Sequence, residues 1–351
     1  MELNLFDYEY DENLIARYPL RERESSRLLA VDVKNFRIEH KRFYQITDYI
    51  DKGDVLVVNN SRVKKARLKG KRVSGGKVEI FVSEFPKNLF FPLALKVLLN
   101  SHKTVKAGEK IYLNDNTPVE VLKNLGNGVY EILIKDSKEF DFIFNHCAMM
   151  PLPPYLKREP EEIDEVYYQT VYSDDSCGFS VAAPTAGLHF SDRLIKSAEK
   201  KGAIFTGISL NIGLGTFTPV REGIIENHEM HPETFSIPEK SANIINGASR
   251  SGKKIILTGT SSVRCLETAA NDMGAVSEIR EKKTSLYIYP GYKFKITKNL
   301  ITNFHQPKSS LFIMISALVG LERAKALYSE AIKNGYSLFS FGDAMYLYNI
   351  D

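Results

Sequence analysis

Apolar positions along this chain fall into short runs whose rhythm changes twice. Before residue 62, continuous apolar runs at 28–33 and 54–58 read as buried strands, and Asp11-Glu12-Asn13 opens a short helix through Arg17 that Pro19 stops. From there to about residue 150, strand-type runs follow one another at 78–82, 94–99, 109–113, 119–122 and 129–134. Several are separated by turns at Gly75-Gly76, Asn114-Asp115-Asn116 and Gly126-Asn127-Gly128, with no helical period between them. Met149-Met150-Pro151-Leu152-Pro153-Pro154 then reads as a stiff linker. Beyond it strands and helices alternate. A helix capped by Ser191 runs to Gly202, and a strand covers 203–212. A helix at 238–251 closes on Gly252, and a strand at 253–257 leads into a helix through Cys265. Strand-type runs at 285–290 and 300–303, helices from Ser309 and over 321–334, and a last strand at 336–341 complete the pattern. It predicts an α/β fold: a larger, discontinuous α/β domain over 1–62 and 151–351, with a small all-β, barrel-like domain inserted at 63–150.

Length and composition fit two ordinary domains: 351 residues, 43% hydrophobic and 26% charged. Cys147, Cys177 and Cys265 are far apart and make no CxxC pair, which argues against disulfides and structural zinc and for a reducing compartment. The N-terminus is acidic where a signal peptide is basic, and the longest apolar run, 311–321, is too short to span a membrane. A cytoplasmic protein without a membrane partner is expected.

A net charge of +4 is only mildly basic, so any nucleic-acid surface needs local clustering. Residues 62–77 supply it, with Arg62, Lys64, Lys65, Arg67, Lys69, Lys71, Arg72 and Lys77 and no acid among them. Lys65, Arg67, Lys69 and Lys71 alternate with small or apolar residues, so a strand would carry the cations on one face. The row suits a sugar–phosphate backbone, and it equally describes an edge strand guarded by lysines. The absence of intervening acids favours the first reading.

Polar loops follow apolar runs at several points. The stretch Ser180-Val181-Ala182-Ala183-Pro184-Thr185-Ala186-Gly187-Leu188-His189-Phe190 runs from a strand through small residues to a helix N-terminus. Ala186 and Gly187 leave room for a ligand, with Thr185 and His189 on either side. A tight connection whose His189 satisfies a buried hydrogen bond explains the same residues. Asn59-Asn60-Ser61-Arg62, Thr258-Gly259-Thr260-Ser261-Ser262-Val263-Arg264, Phe304-His305-Gln306-Pro307 and Gly342-Asp343-Ala344-Met345 end other strands. Together they predict one composite site at a sheet's C-terminal edge. Arg21, Arg23 and Arg27 around Ser25-Ser26 read either as an anion site or as charge paired with Glu22 and Glu24. Gly213-Leu214-Gly215-Thr216-Phe217 lacks the third glycine and the helix of a dinucleotide fingerprint. His228 and His231 stand three apart before Pro232, without helical HExxH geometry, so no metal is expected.

In chain order, Phe6-Asp7-Tyr8, Tyr18-Pro19-Leu20, Ser26-Arg27-Leu28-Leu29, the Asn59, Ala182 and Gly213 motifs, Gly259-Thr260-Ser261-Ser262-Val263-Arg264, Tyr289-Pro290-Gly291-Tyr292, Thr302-Asn303-Phe304-His305 and Gly342-Asp343-Ala344-Met345 resemble the S-adenosylmethionine:tRNA ribosyltransferase-isomerase family of queuosine biosynthesis. The resemblance covers essentially the whole chain. Gln306 departs from it, standing where an aliphatic residue is expected.

The resemblance implies that the larger α/β domain is catalytic and that S-adenosylmethionine is consumed as a ribosyl donor, with no cofactor. The ribosyl group would pass to a 7-aminomethyl-7-deazaguanine at the tRNA wobble position and isomerise to epoxyqueuosine, releasing adenine and methionine. A base must take a proton beside the sulfonium, and an acid must serve the departing adenine. His189 and His305 lead as acid–base candidates, with His228, His231 and Asp343 behind them. Asn60, Arg62, Thr185, Gly187, Thr260 and Arg264 would hold S-adenosylmethionine, and Arg62, Lys65, Arg67 and Lys69 would meet tRNA phosphates. A tRNA methyltransferase is disfavoured because no glycine-rich methyltransferase loop follows a strand. A non-catalytic RNA-binding module would leave the polar loops without a task.

Overall fold

The computed structural model describes residues 1–350 apart from Glu84, Lys87 and 214–219. Its first strands are β1 (Arg27–Asp32), β2 (Arg37–Arg42), β3 (Val55–Asn59) and the short β4 (Arg62–Val63). Next come β5 (Arg67–Arg72), β6 (Lys77–Val82), β7 (Leu93–Ser101), β8 (Lys110–Leu113), β9 (Pro118–Gly126) and β10 (Val129–Ile134). The remainder are β11 (Phe179–Ser180), β12 (Ile204–Leu210), β13 (Glu233–Ile237), β14 (Ile255–Thr258), β15 (Ile279–Thr284), β16 (Asn299–Asn303) and β17 (Ala344–Tyr348). The helices are α1 (Ser137–Phe142), α2 (Glu162–Tyr167), α3 (Asp192–Lys200), α4 (Glu239–Arg250), α5 (Thr260–Ala269), α6 (Ser310–Val319) and α7 (Leu321–Lys333).

β5 to β10 close into a barrel with its own apolar interior, while a nine-stranded mixed sheet runs β15-β13-β12-β3-β14-β16-β17-β1-β2. This is the expected α/β fold with an all-β barrel inserted. β3, β14 and β16 are buried along their whole length because apolar clusters cover both faces of the sheet. Their side chains alternate between those clusters: Val55 and Val57 enter one, Leu56 the other; Leu257 and Leu300 enter one, Ile256 and Ile301 the other.

Ser191 accepts from the Leu194 N–H and Ser309 from the Phe312 N–H, capping α3 and α6 as their sequence implies. Three other elements differ from expectation. The helix opened at Asp11 is a single 3-10 turn, Glu12–Leu14, because Ile15 leaves it to bridge Leu338. The apolar run at 285–290 is not a strand; the polar β15 just before it pairs with the sheet edge, which needs only one buried face. The run at 336–341 is a loop, and the final strand starts at Ala344. Residues 149–154 are likewise no free spacer: Met149 bridges Arg67, and Met150 and Leu152 are buried.

Candidate active site

β3, β12, β14 and β16 run parallel, so their C-terminal ends share one edge of the sheet, whereas β17 runs opposite to β16 and begins there. A cleft opens at this edge over β12, β14 and β16, the kind of place where α/β proteins hold small ligands. Residues 339–340 line it as well. Of the loops expected to form one composite site, the stretch 182–186 and the loops after β14 and β16 meet at this cleft, whereas the loops at 59–62 and 342–345 do not line it.

Its polar groups come from few places. Gly259 turns the chain at φ +85, a conformation closed to most residues, and aims the N-terminus of α5 at the cavity. Thr260, Ser261 and Arg264 of that helix line the wall. Arg264 forms a buried ion pair with Glu233 at the start of β13 and donates through Nε to the Leu286 carbonyl at 3.1 Å. Glu233 also accepts from the Gly213 N–H at 2.8 Å. Asn303, the last residue of β16, also lines the cavity. Ser261 Oγ, Arg264 Nη2 and Asn303 Oδ1 are buried with no hydrogen-bond partner among the described residues. Each such atom costs on the order of 1–3 kcal/mol left alone, so the three together mark a place shaped for a polar ligand.

His305 lines the same cavity. Its Nε2 lies 2.8 Å from Thr302 Oγ1, its backbone N–H bonds the Tyr328 hydroxyl, and Tyr8 donates to its carbonyl. Among the described residues no hydrogen-bond partner is seen for Nδ1. His189 is also buried, its Nδ1 2.9 Å from Ser26 Oγ and its Nε2 3.1 Å from Asn303 Nδ2. The Asn303 amide also donates to the Phe339 carbonyl, so its nitrogen is the donor toward His189, and His189 Nε2 carries the lone pair. Burial pushes both imidazoles down to about 3, with Arg23 adding to the effect at His189. Both are therefore neutral at neutral pH and cannot start a reaction as acids.

Of the residues singled out in the sequence, Thr185, Thr260, Arg264 and His305 meet at this cavity. The others lie elsewhere. Asn60 bonds Cys177 Sγ at 3.2 Å, and Arg62 sits 3.2 Å from Asp175 on the strand pair that ties β4 to β11. Gly187 leaves no room for a ligand, because a Cβ there would overlap the Tyr172 hydroxyl. Asp343 accepts the N–H groups of Arg27 and Ser337 at 2.6 and 2.8 Å, and its burial raises its pKa. His228 bonds Glu222 at 2.8 Å, and His231 is exposed; neither lines the cavity. The Gly213 motif lies outside the described residues from 214 on. Among the described residues no group of side chains could hold a metal ion.

Glu233 is the residue that sequence reasoning left without a role. Its signal was register: Glu233, Phe235 and Ile237 share the inward face of β13, and an acid in that phase needs a buried partner. The arginines near Ser25 form neither an anion site nor paired surface charge. Arg23 donates to the carbonyls of Val166, Gln169 and Leu188, Arg27 lies over the Tyr336 ring, and Glu24 pairs with Arg193.

The basic row does alternate on β5, but it is not unopposed in space. Arg67 pairs with Glu79 and Glu159, Lys69 with Glu159, Lys65 with Glu165 and Arg72 with Glu109. Glu79 comes from the next strand of the hairpin, and Glu109, Glu159 and Glu165 from remote segments that the local run of sequence could not reveal.

The family model described as Queuosine biosynthesis protein matches residues 3–347. The S-adenosylmethionine:tRNA ribosyltransferase-isomerase of Fusobacterium nucleatum is 42% identical over 354 residues, covering 99% of this chain and 98% of that protein. Its counterpart in Aquifex aeolicus is 39% identical over 345 residues, covering 98% and 99%. The crystal structure of a Thermotoga maritima S-adenosylmethionine tRNA ribosyltransferase is similar with a TM-score of 0.54 and 30% identity, over 98% of this chain and 99% of that one.

Proposed function

The chain belongs to the queuosine biosynthesis protein family, and on that premise we propose that the cavity above β12, β14 and β16 binds S-adenosylmethionine during ribosyl transfer to a tRNA base. Its activity is that of an S-adenosylmethionine:tRNA ribosyltransferase-isomerase, with S-adenosylmethionine and tRNA as substrates. The acceptor is the 7-aminomethyl-7-deazaguanine of the wobble position, and the products are epoxyqueuosine-tRNA, adenine and methionine. S-adenosylmethionine is consumed as substrate, so no separate cofactor takes part, and the reaction belongs in the cytoplasm.

The observation that carries the binding mode is that Ser261, Arg264 and Asn303 line one cavity, each with a buried polar atom, Oγ, Nη2 and Oδ1, that has no partner among the described residues. The methionyl carboxylate fits Arg264 and the α5 N-terminus, where a guanidinium and free N–H groups both favour an anion. Thr260 adds a hydroxyl beside it. Asn303 offers an acceptor to a ribose hydroxyl or the adenine amino group, and Thr185 a second hydroxyl on the opposite wall. Ala182, Ala183, Leu210 and Ile212 make the rest apolar. Low polarity favours the ylide, in which the charges cancel, over the cationic sulfonium, and so helps the first proton to leave carbon.

His305 is the base in reach, because it starts neutral and lines the cavity. The proton it takes from the carbon beside sulfur is the one it hands to adenine as the C–N bond breaks. The acceptor amine then forms the new C–N bond and gives its proton to the freed imidazole, and the C–S bond breaks with its electron pair going to sulfur, so that methionine leaves as the neutral thioether. One imidazole thus serves as base and then as acid, a sequence that a neutral resting state permits. Arg62, Lys65, Arg67 and Lys69 meet tRNA by exchanging carboxylate partners for phosphates.

The test is mass spectrometry of tRNA bearing the aminomethyl-deazaguanine after incubation with protein and S-adenosylmethionine. A ribosyl-derived increment with free adenine is expected. A methyl-sized increment, or bound but unaltered tRNA, would overturn the proposal.

A further inference from the structure

Ser26, His189 and Asn303 form one buried chain of hydrogen bonds, none of the three more than 4% exposed. Of the three, Asn303 alone lines the main cavity; Ser26 and His189 border a smaller one, with Phe341. We propose that His189 and Ser26 are positioning residues: they fix the Asn303 carboxamide so that it offers the cavity an acceptor alone, and the site thereby selects a ligand with an N–H or O–H at that point. The inference rests on S-adenosylmethionine being the ligand of that cavity, and it names what the cavity discriminates.

The direction of the chain is set at the Phe339 carbonyl. Asn303 Nδ2 lies 3.2 Å from that oxygen, which can only accept, so the nitrogen of the amide stands on this side. The same nitrogen is 3.1 Å from His189 Nε2, which must then hold a lone pair. In a neutral imidazole the proton is consequently on Nδ1, and it is donated to Ser26 Oγ at 2.9 Å. The Phe339 carbonyl is itself held: the residue stands at φ +70, and its oxygen also accepts the Gly342 N–H at 3.0 Å. Phe43 packs on the imidazole with ring centres 4.9 Å apart, and burial keeps the imidazole uncharged.

Both hydrogens of the Asn303 amide are thus spent inside the protein. What it has left for a ligand is Oδ1, which has no partner among the described residues. An unconstrained asparagine serves donors and acceptors alike by turning its amide over. Here that turn would set the oxygen against the Phe339 carbonyl and the His189 lone pair, two repulsive contacts in place of two hydrogen bonds. The amide therefore reads in one direction. A ribose hydroxyl or the adenine amino group satisfies it, and a group bearing only lone pairs does not. His189 acts through Asn303 and touches no reacting atom, which accounts for a neutral imidazole buried away from the main cavity.

Calorimetry decides the matter, with S-adenosylmethionine, its 2′-deoxy and 3′-deoxy forms, and the analogue carrying hypoxanthine in place of adenine. One analogue should bind roughly 10–100-fold more weakly than S-adenosylmethionine, and its identity shows which donor is read. Asn303→Leu should bring that ratio close to unity. His189→Leu should lower it by about threefold or more, whereas His189→Gln, whose carbonyl can take the same amide hydrogen, should preserve it. Added to Asn303→Leu, His189→Leu should change the ratio no further. Nitrogen NMR of histidine-labelled protein checks the claim without substitution: the His189 proton should sit on Nδ1. Equal affinity for all the ligands, a proton on Nε2, or a ratio that His189→Leu leaves intact while the melting temperature falls would overturn the proposal. So would a loss of about a hundredfold or more in kcat for His189→Gln, the mark of an acid–base residue. If the unaltered protein transferred no ribosyl group, the transfer reading would fail, and the binding ratios and the tautomer would still decide this one.

Discussion

Arg264 of α5 and Glu233 of β13 close a buried ion pair across the wall of the main cavity, their side chains only 4% and 5% exposed. Removing one partner of such a pair strands the other charge, at a cost of about 3–5 kcal/mol. Arg264→Ala should therefore lower the melting temperature sharply and abolish S-adenosylmethionine binding. Arg264→Lys keeps the charge but lacks the forked nitrogens, one of which is the unpartnered Nη2. We expect it to retain most of the stability and to bind S-adenosylmethionine about tenfold more weakly, the loss of one charge-assisted bond. Calorimetry with both variants separates the two effects.

His189 and His305 make the fold sensitive to acid. Burial lowers each folded pKa to about 3, below the ordinary 6.5, so the unfolded chain binds more protons between those values. Stability must then fall as pH drops below about 6.5, by roughly 2 kcal/mol for each histidine by pH 5. Urea unfolding from pH 7.5 to 5 should show this slope, and His189→Asn and His305→Asn should each flatten it. Turnover should show no limb near 6.5 arising from either ring. A steep stability profile that survives both substitutions would disprove the assignment.

Glu159 stands between the basic strand and any RNA, its side chain 61% exposed and 2.6 Å from Lys69. The Lys69 ammonium, with Arg67 beside it, holds the Glu159 carboxyl below the usual carboxylate range. Glu159→Gln releases both cations at little cost in stability, since an exposed pair is worth at most about 1 kcal/mol. If this face meets tRNA, the variant should bind it a few-fold more tightly at low salt. Lys69→Ala should weaken binding and reduce the salt slope by about one unit. Filter binding across a salt series measures both. Unaltered slopes would remove β5 from the RNA surface.

The fold was legible wherever burial is periodic. Val55, Leu56 and Val57 alternate between two apolar layers, and any reading of the run returns a central strand. β15 was hidden because an edge strand with one buried face looks like a charged loop. The apolar run at 336–341 misled for the opposite reason: Phe339 and Phe341 are apolar because they wall two cavities, not because they pair in a sheet. At the site, Thr260, Arg264 and His305 stood out because the chain places them just past strand ends. The acids facing β5 come from positions as distant as Glu159 and Glu165, and only the folded chain brings them there. Gly187 was read as space for a ligand, and a tyrosine fills that space.

That tyrosine gives a clean test. Gly187 has no positive φ, so its backbone accepts alanine, and the obstacles are the Tyr172 hydroxyl first, then the Thr170 methyl at 2.9 Å and the Tyr172 ring carbon Cζ at 3.0 Å. The hydroxyl is itself buried with no hydrogen-bond partner among the described residues, and burial raises its pKa well above the ordinary tyrosine value. Tyr172→Phe should accordingly be neutral or stabilising, since it removes an unsatisfied polar group. Gly187→Ala should destabilise by about 1–3 kcal/mol through overpacking. In the double variant the phenylalanine removes the worst overlap but leaves the Thr170 methyl and the ring carbon close, so part of the loss should return as a coupling energy. S-adenosylmethionine affinity should track neither change, because Gly187 does not line the cavity. Additive stabilities together with a loss of affinity in Gly187→Ala alone would restore the glycine to the ligand site.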